Sequence, residues 1–327
     1  MGIRLGYQMP NFSYGDSVEK LFPTVIRQTR DAEAAGFDTA FVMDHFYQLP
    51  GLGAPDEPML EAYTALGALA TATSSIQLST LVTGNTYRNP TLLAKAVTTL
   101  DVVSGGRAVL GIGAGWFELE HRQLGFEFGT FTERFERLDE ALQIIVPMLH
   151  GERPTFSGKW YRTENAINEP RVRNDLPVML GGGGERKTFA LAARDAQHLN
   201  IICSPSELPR KIEALDARCA EAGRDRSTLE TSFLAFVMID ENGDRARAQL
   251  KQVLRGQGLD PDALSDDEFR AATERMFVGT PDDVAADLKE RVLDRGVDGL
   301  VINLPATGHV EGAVELAGRT LRPLVDA

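Results

Sequence analysis

Three stretches of this sequence combine residue types and spacing that could do chemistry. The first is FVMDHFYQ, an apolar run that ends in Asp44 and His45. Imidazole is the side chain most readily poised to pass a proton near neutral pH. The second is GIGAGW, Gly111 to Trp116, which follows the apolar run of strand four. The third is Gly181 to Gly184, four consecutive glycines between the apolar VML and the helical ERKTFALAARDA.

The glycine stretches invite a nucleotide reading, and GIGAGW fails it. A dinucleotide fingerprint needs G-x-G-x-x-G running into a helix, with an acidic residue about twenty positions on. Here the spacing is G-x-G-x-G, position 116 is Trp, and WFELEHRQLGFEFG is aromatic and polar, with the regular helix coming later. Small residues at a strand end let the backbone approach a flat ligand; a tight turn without a ligand is the plainer reading. The run Gly181–Gly184 is different. Free N–H groups and the dipole at a helix start favour phosphate, and Arg186 and Lys187 would add charge. As a plain linker, four glycines between a buried strand and a packed helix would carry a large entropic cost.

Five histidines are present: His45, His121, His150, His198 and His309. His121 follows the glycine turn and could line the same mouth. His150 ends a helix and suits its C-terminal dipole. His198 starts a strand, and His309 begins the last loop. For His45 the location and the neighbouring Asp44 set a proton-transfer role beside a structural one. No H-E-x-x-H or paired His/carboxylate spacing marks a metal site, and no G-x-S-x-G elbow supplies a nucleophile. Glycines, aromatics and one histidine without a metal suit an organic cofactor.

These residues need elements to hold them. Short apolar runs alternate with amphipathic segments. The strands are expected at residues 3–9, 39–43, 76–82, 108–112, 178–180, 198–202, 231–239 and 299–304. Helices are expected at about 17–35, 61–73, 89–103, 131–149, 185–193, 205–221, from 243, after Thr280 and through Leu321. Thr132 is the expected start of the 131–149 helix. Thr280 as N-cap with Pro281 at N1 and acids in the first turn is a strong start signal. Eight strand–helix units point to a parallel (β/α)₈ TIM barrel, α/β in class, in which ligands sit at the C-terminal ends of the strands. That places Asp44, His45 and both glycine turns on one face. Residues 151–170, with a small hairpin in TFSGKWYRTE, and residues 256–277, polar and helical, read as insertions on a single domain spanning 1–327.

The chain has 327 residues and a net charge of −13. An acidic chain with scattered basic residues repels phosphate backbones and anionic lipid, so neither nucleic acid nor membrane is an expected partner. No run of eighteen apolar residues occurs, and the N-terminus lacks a basic and apolar leader pattern. Two cysteines, Cys203 and Cys219, fit reduced thiols and a cytoplasmic location.

Taken together, GYQMPN, AEAAGFDTAFVMDH, LVTGNTYRNPTLLAKAVTTLDVVSGGRAVLGIGAGWFELE, GTFTERFERLDEAL, PVMLGGGGERKTFALAARDA and GTPDDVAADL make the chain resemble the bacterial luciferase-like flavin/deazaflavin family along nearly its whole length. Within it, the chain looks most like oxidoreductases that use the 5-deazaflavin coenzyme F420. The resemblance implies a TIM barrel that binds the deazaflavin at its C-terminal face and exchanges a hydride between C5 and a small organic substrate. It implies His45 as the catalytic residue, with Asp44 beside it at the cofactor. It implies a non-proline cis peptide at Thr80–Leu81 against the ring, Ala114 and Gly115 along the cofactor, and Gly182, Gly183 and Gly184 at its phosphate. It also implies a homodimer. One position departs: where the glucose-6-phosphate dehydrogenase branch carries a proton-donating glutamate, this chain has Trp116. Trp cannot transfer a proton, so the resemblance points away from sugar-phosphate chemistry and toward an apolar or unsaturated substrate, with Trp116 either an apolar wall of its pocket or packing for its own loop. FMN binds this fold in a similar place. An FMN-dependent monooxygenase using reduced flavin and O₂ is the alternative, and a non-catalytic cofactor-binding protein a further one.

Overall fold

The structure is a computed structural model and describes residues 2–15 and 17–326. Its elements in chain order are β1 (Leu5–Met9), α1 (Val18–Ala34), β2 (Thr39–Val42), α2 (Ala62–Ala72), β3 (Gln77–Thr80), β4 (Thr83–Gly84), α3 (Pro90–Ser104), β5 (Leu110–Gly113), α4 (Glu118–Leu124) and α5 (Phe131–Leu149). There follow β6 (Phe156–Ser157), β7 (Arg162–Thr163), β8 (Val178–Gly181), α6 (Thr188–Asp195), β9 (His198–Ile201), α7 (Leu208–Glu221), β10 (Glu230–Ile239), α8 (Gly243–Gly256), α9 (Asp266–Thr273), β11 (Met276–Gly279), α10 (Pro281–Arg291), β12 (Gly299–Asn303) and α11 (Ala313–Val325).

The main sheet runs in the order β3-β2-β1-β12-β10-β9-β8-β5-β4, and its neighbours are parallel. β3 and β4 are two halves of one barrel strand. β3 lies along β2, with Thr39 opposite Gln77 and Val42 opposite Thr80. β4 lies along β5, with Gly84 opposite Gly113. A bridge between Leu78 and Ala108 joins β3 to the start of the fourth strand and closes the ring. The expected TIM barrel is therefore present.

Side-chain alternation along a strand sorts the apolar residues to two places. Ala40, Val42, Val178, Leu180, Leu300 and Ile302 pack outward under the helices. Phe41, Leu81, Val109, Met179, Leu234 and Val301 fill the barrel. The strand faces are buried on both sides, as helices on the outside of a closed parallel sheet require. Nearer the C-terminal rim the interior turns polar: Asn303 Nδ2 donates to Gln8 Oε1 at 3.1 Å, and Gln8 Nε2 donates to the Leu81 carbonyl at 3.1 Å.

Local signals explain several boundaries. Thr130, rather than Thr132, caps α5: its hydroxyl accepts from the Glu133 N–H, and the Glu133 carboxylate accepts from the Thr130 N–H in return. Thr280 caps α10 with Pro281 in the first turn, as expected. Glu33, near the end of α1, accepts through one oxygen from the N–H groups of Ser74, Ser75 and Ile76 and from the Ser75 hydroxyl, at 2.5–3.0 Å. Burial pushes its carboxyl up, but these four donors outweigh it and hold the group down at about 2.

Two stretches differ from expectation. The polar segment 256–277 contains α9 but ends in the start of β11, which pairs with the distal half of β10, Phe236 to Ile239, beside the ring. Only Met276–Gly279 reads as a strand there, and it is too short to show against its charged surroundings. The segment after GIGAGW contains α4, seven residues long, with Glu120 and His121 on its buried side. The hairpin in 151–170 is present as β6 and β7, antiparallel, with Phe156 opposite Thr163.

Candidate active site at the C-terminal rim

The parallel strands put the C-terminal ends of β2, β4, β5, β8 and β9 on one rim. GIGAGW explains why its part of the rim is glycine-rich. A Cβ on Gly111 would lie 1.9 Å from the Thr80 carbonyl oxygen, and one on Gly113 would lie 3.0 Å from Val82 Cγ2. Gly115 has φ +79°, and its Cβ would meet the Thr86 hydroxyl at 2.7 Å. A Cβ on Gly181 would also strike Val82, at 2.7 Å. At Gly113 and Gly181 the neighbour is Val82, in the bulge that joins β3 to β4. That bulge holds the non-proline cis peptide, and the bond is Leu81–Val82, one residue beyond the expected Thr80–Leu81. The expected position treats residues 76–82 as one uninterrupted strand, whereas the strand breaks after Thr80 and resumes at Thr83. Thr80 supports the bulge from below: its hydroxyl bonds the Gly111 carbonyl at 2.9 Å and the Thr83 hydroxyl at 2.8 Å.

Asp44 and His45 leave β2 side by side but enter different networks. Asp44 is buried and takes a two-pronged bond from Arg88, at 2.6 and 2.9 Å, and a third from the Gly84 N–H at 3.2 Å. Arg88 also bonds Glu61 at 2.6 Å and lies over the Tyr63 ring. Asp44 thus ties the end of strand two to the loop after strand three.

His45 meets Glu120. Its Nδ1 lies 2.9 Å from Glu120 Oε2, and its side chain is 12% exposed while that of Glu120 is fully buried. The same carboxylate receives the Tyr87 hydroxyl at 2.5 Å on Oε2 and the N–H groups of Phe46 and Tyr47 at 2.5 and 2.8 Å on Oε1. Burial pushes Glu120 up, but the bonds from His45, Tyr87 and Tyr47 prevail and hold it below the usual glutamate range. Burial and the adjacent Glu120 push the Tyr87 hydroxyl well above its ordinary value. His45 Nε2 has no partner among the described residues. The ring stands edge-on to Trp116 and Phe117, with centroids 5.7 and 5.9 Å apart. Trp116 is 59% exposed, and its ring also contacts Phe117 of its own loop, with centroids 5.3 Å apart.

His121 does not line the mouth. It is fully buried, with Nδ1 on the Phe117 carbonyl at 2.8 Å, Nε2 on the Thr86 hydroxyl at 2.7 Å, and its ring stacked on Tyr87. Burial lowers its pKa, which suits a neutral structural imidazole. His150 is the C-cap of α5, and His198 Nε2 bonds Ser232 in the barrel at 2.8 Å.

Across the rim, the Gly182 N–H is taken by the Asn200 carbonyl, while those of Gly183 and Gly184 make no hydrogen bond among the described residues. A Cβ on Gly183 would lie 2.3 Å from the Ile202 carbonyl oxygen. Lys211, nearly buried, donates to the Gly183 carbonyl at 2.8 Å and pairs with Glu185 at 2.9 Å. The expected cationic neighbours differ: Lys187 reaches back over the rings of Phe131 and Phe135, and α6 begins only at Thr188. Lys211 had no sequence signal, because it arrives from α7, 28 residues away. Gly183 and Gly184 thus keep two N–H groups unpaired among the described residues, beside the Lys211–Glu185 ion pair. Ala114 and Gly115 lie between Gly113 and Trp116 on the same rim. Among the described residues no cluster of side chains could hold a metal ion, and no helix is long and apolar enough to cross a membrane.

The fold has known counterparts. The model of the luciferase-like monooxygenase family matches residues 3–299. An F420-dependent glucose-6-phosphate dehydrogenase of Microbacterium testaceum is 30% identical over 99% of this chain and 90% of its own. A 5,10-methylenetetrahydromethanopterin reductase of Archaeoglobus fulgidus is 27% identical over 89% of this chain and 92% of its own. Among solved structures, an F420-dependent secondary alcohol dehydrogenase in complex with an F420-acetone adduct superposes with a TM-score of 0.81 at 21% identity, covering 99% of both chains.

Proposed function

Because the chain belongs to the luciferase-like monooxygenase family, we propose that it is an F420-dependent oxidoreductase that moves a hydride between the deazaflavin C5 and a small organic substrate. The observation that carries this reading is the rim itself: His45, with Nε2 unpartnered, and the Gly183 and Gly184 N–H groups, unpaired among the described residues, both stand at C-terminal ends of barrel strands.

The residues fit the cofactor. Gly183 and Gly184 offer their N–H groups to its phosphate, with Lys211 adjacent and Gly182 setting the turn. Leu81, at the bulge, and Ala114 and Gly115, at the end of β5, border its ring. Thr80 and Asp44 act one layer down, by fixing the bulge and Arg88. When bound, the deazaflavin supplies the carbon that accepts or releases a hydride. His45 Nε2 would take the proton from the substrate heteroatom as the hydride leaves the carbon bonded to it, or return that proton in the reverse direction. Trp116 excludes water and offers an apolar wall, and it leaves no carboxylic acid at that position to donate a proton. This favours an apolar or unsaturated substrate over a sugar phosphate. A homodimer is part of the same proposal.

Fluorescence titration of the purified protein with F420 and with FMN tests the reading. Tight F420 binding and weak FMN binding are expected. Tight FMN binding without F420 binding, together with O₂ uptake on reduced FMN, would replace it with a monooxygenase.

A further inference from the structure

We infer that Glu120 is a positioning residue that fixes His45 in the Nδ1–H tautomer and so keeps the Nε2 lone pair open to the mouth. The inference rests on His45 being the proton-transfer group proposed above, but its main test does not need the cofactor.

The argument is a count of donors. Glu120 Oε1 receives two backbone N–H groups, from Phe46 and Tyr47. Oε2 receives the Tyr87 hydroxyl and faces His45 Nδ1 at 2.9 Å. A carboxylate has only acceptor sites. If Nδ1 carried the lone pair, two acceptors would face each other at contact distance with no water between, because Glu120 is fully buried. Nδ1 must therefore carry the proton, and in the neutral ring Nε2 is then the acceptor. The alternative, a protonated Glu120 that donates to Nδ1, runs against the three donors whose direction does not depend on the ring: the Phe46 and Tyr47 N–H groups and the Tyr87 hydroxyl all favour the carboxylate, and Glu120 lies below the usual glutamate range. The carboxylate is a fixture, held by both sides of the loop it orients. Phe46 and Tyr47 anchor it to the chain next to His45, so the carboxylate is held in place and the ring cannot swing without losing its Nδ1 contact to it.

Glu120→Gln makes the test sharp. An amide has one acceptor end and one donor end. With its oxygen on the Phe46 and Tyr47 N–H groups, its NH₂ points at His45 Nδ1 and at the Tyr87 hydroxyl. The ring must then present a lone pair at Nδ1 and carry its proton on Nε2. The variant is expected to invert the tautomer.

The experiment is long-range ¹⁵N–¹H NMR of histidine-labelled, cofactor-free protein, recorded where His45 is neutral, with His45→Ala used for assignment. Wild type is expected to show a protonated Nδ1 and an unprotonated Nε2, and Glu120→Gln the reverse. An Nε2–H ring in the wild type overturns the proposal by itself, whether or not any variant folds. An unchanged tautomer in a folded Glu120→Gln protein also overturns it. In turnover, Glu120→Gln should lower kcat by about 10²-fold, the scale of losing a proton-transfer group, with the Kd for F420 within about twofold of wild type. If the tautomer inverts and turnover is unchanged, the assignment of His45 as the proton-transfer group fails while the positioning role stands.

Discussion

The Thr80 carbonyl oxygen occupies the place where a side chain at Gly111 would begin: an added Cβ would lie 1.9 Å from it. The oxygen belongs to backbone and the place of a Cβ is set by backbone, and Thr80 is further tied to the Gly111 carbonyl through its hydroxyl. Gly111→Ala should therefore cost about 3 kcal/mol, the upper range for overpacking a tight core, and lower Tm by roughly 5 °C or more. A thermal melt within 1 °C of wild type would show that the two strands can part more easily than this contact implies.

Arg88 is the counter-charge of buried Asp44. Removing one partner of such a pair leaves an uncompensated buried charge, at about 3–5 kcal/mol. Arg88→Met should shift the urea midpoint accordingly, and adding Asp44→Asn should recover a large part of the loss. If the double variant is as unstable as the sum of the two single ones, the pair is not coupled and the assignment of Asp44 to Arg88 is wrong.

Glu33 provides a pH test remote from the active site. Its folded pKa, about 2, lies below the ordinary glutamate value of 4.5. A depressed carboxyl adds stability that is fully present above about pH 4.5 and is lost as pH falls through the folded value near 2. After discounting for solvent screening at this half-buried site, the contribution is on the order of 1–2 kcal/mol. The stability difference between wild type and Glu33→Gln should be constant from pH 7 to 5 and shrink steadily below 4.5. A difference that grows on acidification has the wrong sign and would refute the account.

At the phosphate turn, Gly183→Ala must push the chain away from the Ile202 carbonyl, 2.3 Å from the new atom. The turn lies at the rim, so the protein should fold, but the N–H groups of Gly183 and Gly184 would be re-aimed. We expect F420 affinity to fall at least tenfold, or ~1.4 kcal/mol, and the affinity for an apolar substrate to change little. An unaltered F420 Kd would move the phosphate elsewhere.

Trp116→Ala and His45→Ala should separate binding from chemistry. The first should raise KM for an apolar substrate with kcat nearly unchanged, the pattern of lost uniform binding. The second should lower kcat by about 10²-fold. Equal loss of kcat in both would mean that Trp116 organises the reacting geometry rather than walling it.

What could be read from the sequence follows from how local each signal is. His45, the two glycine turns and the strand ends are written in contiguous patterns, apolar run then turn, and a parallel barrel gathers such ends on one face. Glu120, Tyr87 and Arg88 are not written that way. Glu120 reaches His45 from 75 residues away, and Arg88 reaches Asp44 across 44. Tyr87 and Arg88 sit in the short loop between β4 and α3, and Glu120 in a seven-residue helix, where no periodic pattern sets a buried residue apart from a solvated one. The local signal for Glu120 is the stretch FELEHRQ, which puts a glutamate and a histidine on the side of a short helix that follows aromatic residues. The cis peptide was displaced by one residue for a related reason, since no propensity separates β3 from β4; the division comes from pairing with different neighbours.

Trp116 and Glu120 stand four residues apart on one connection, yet one is 59% exposed and the other fully buried. The connection therefore has a fixed end and a variable end. Replacements at the tip can redraw the shape of what is admitted, while the anchor under His45 goes undisturbed. A barrel built this way can diverge in appetite and keep its proton chemistry, so relatives of this chain that differ at position 116 should share a base and differ in their substrates.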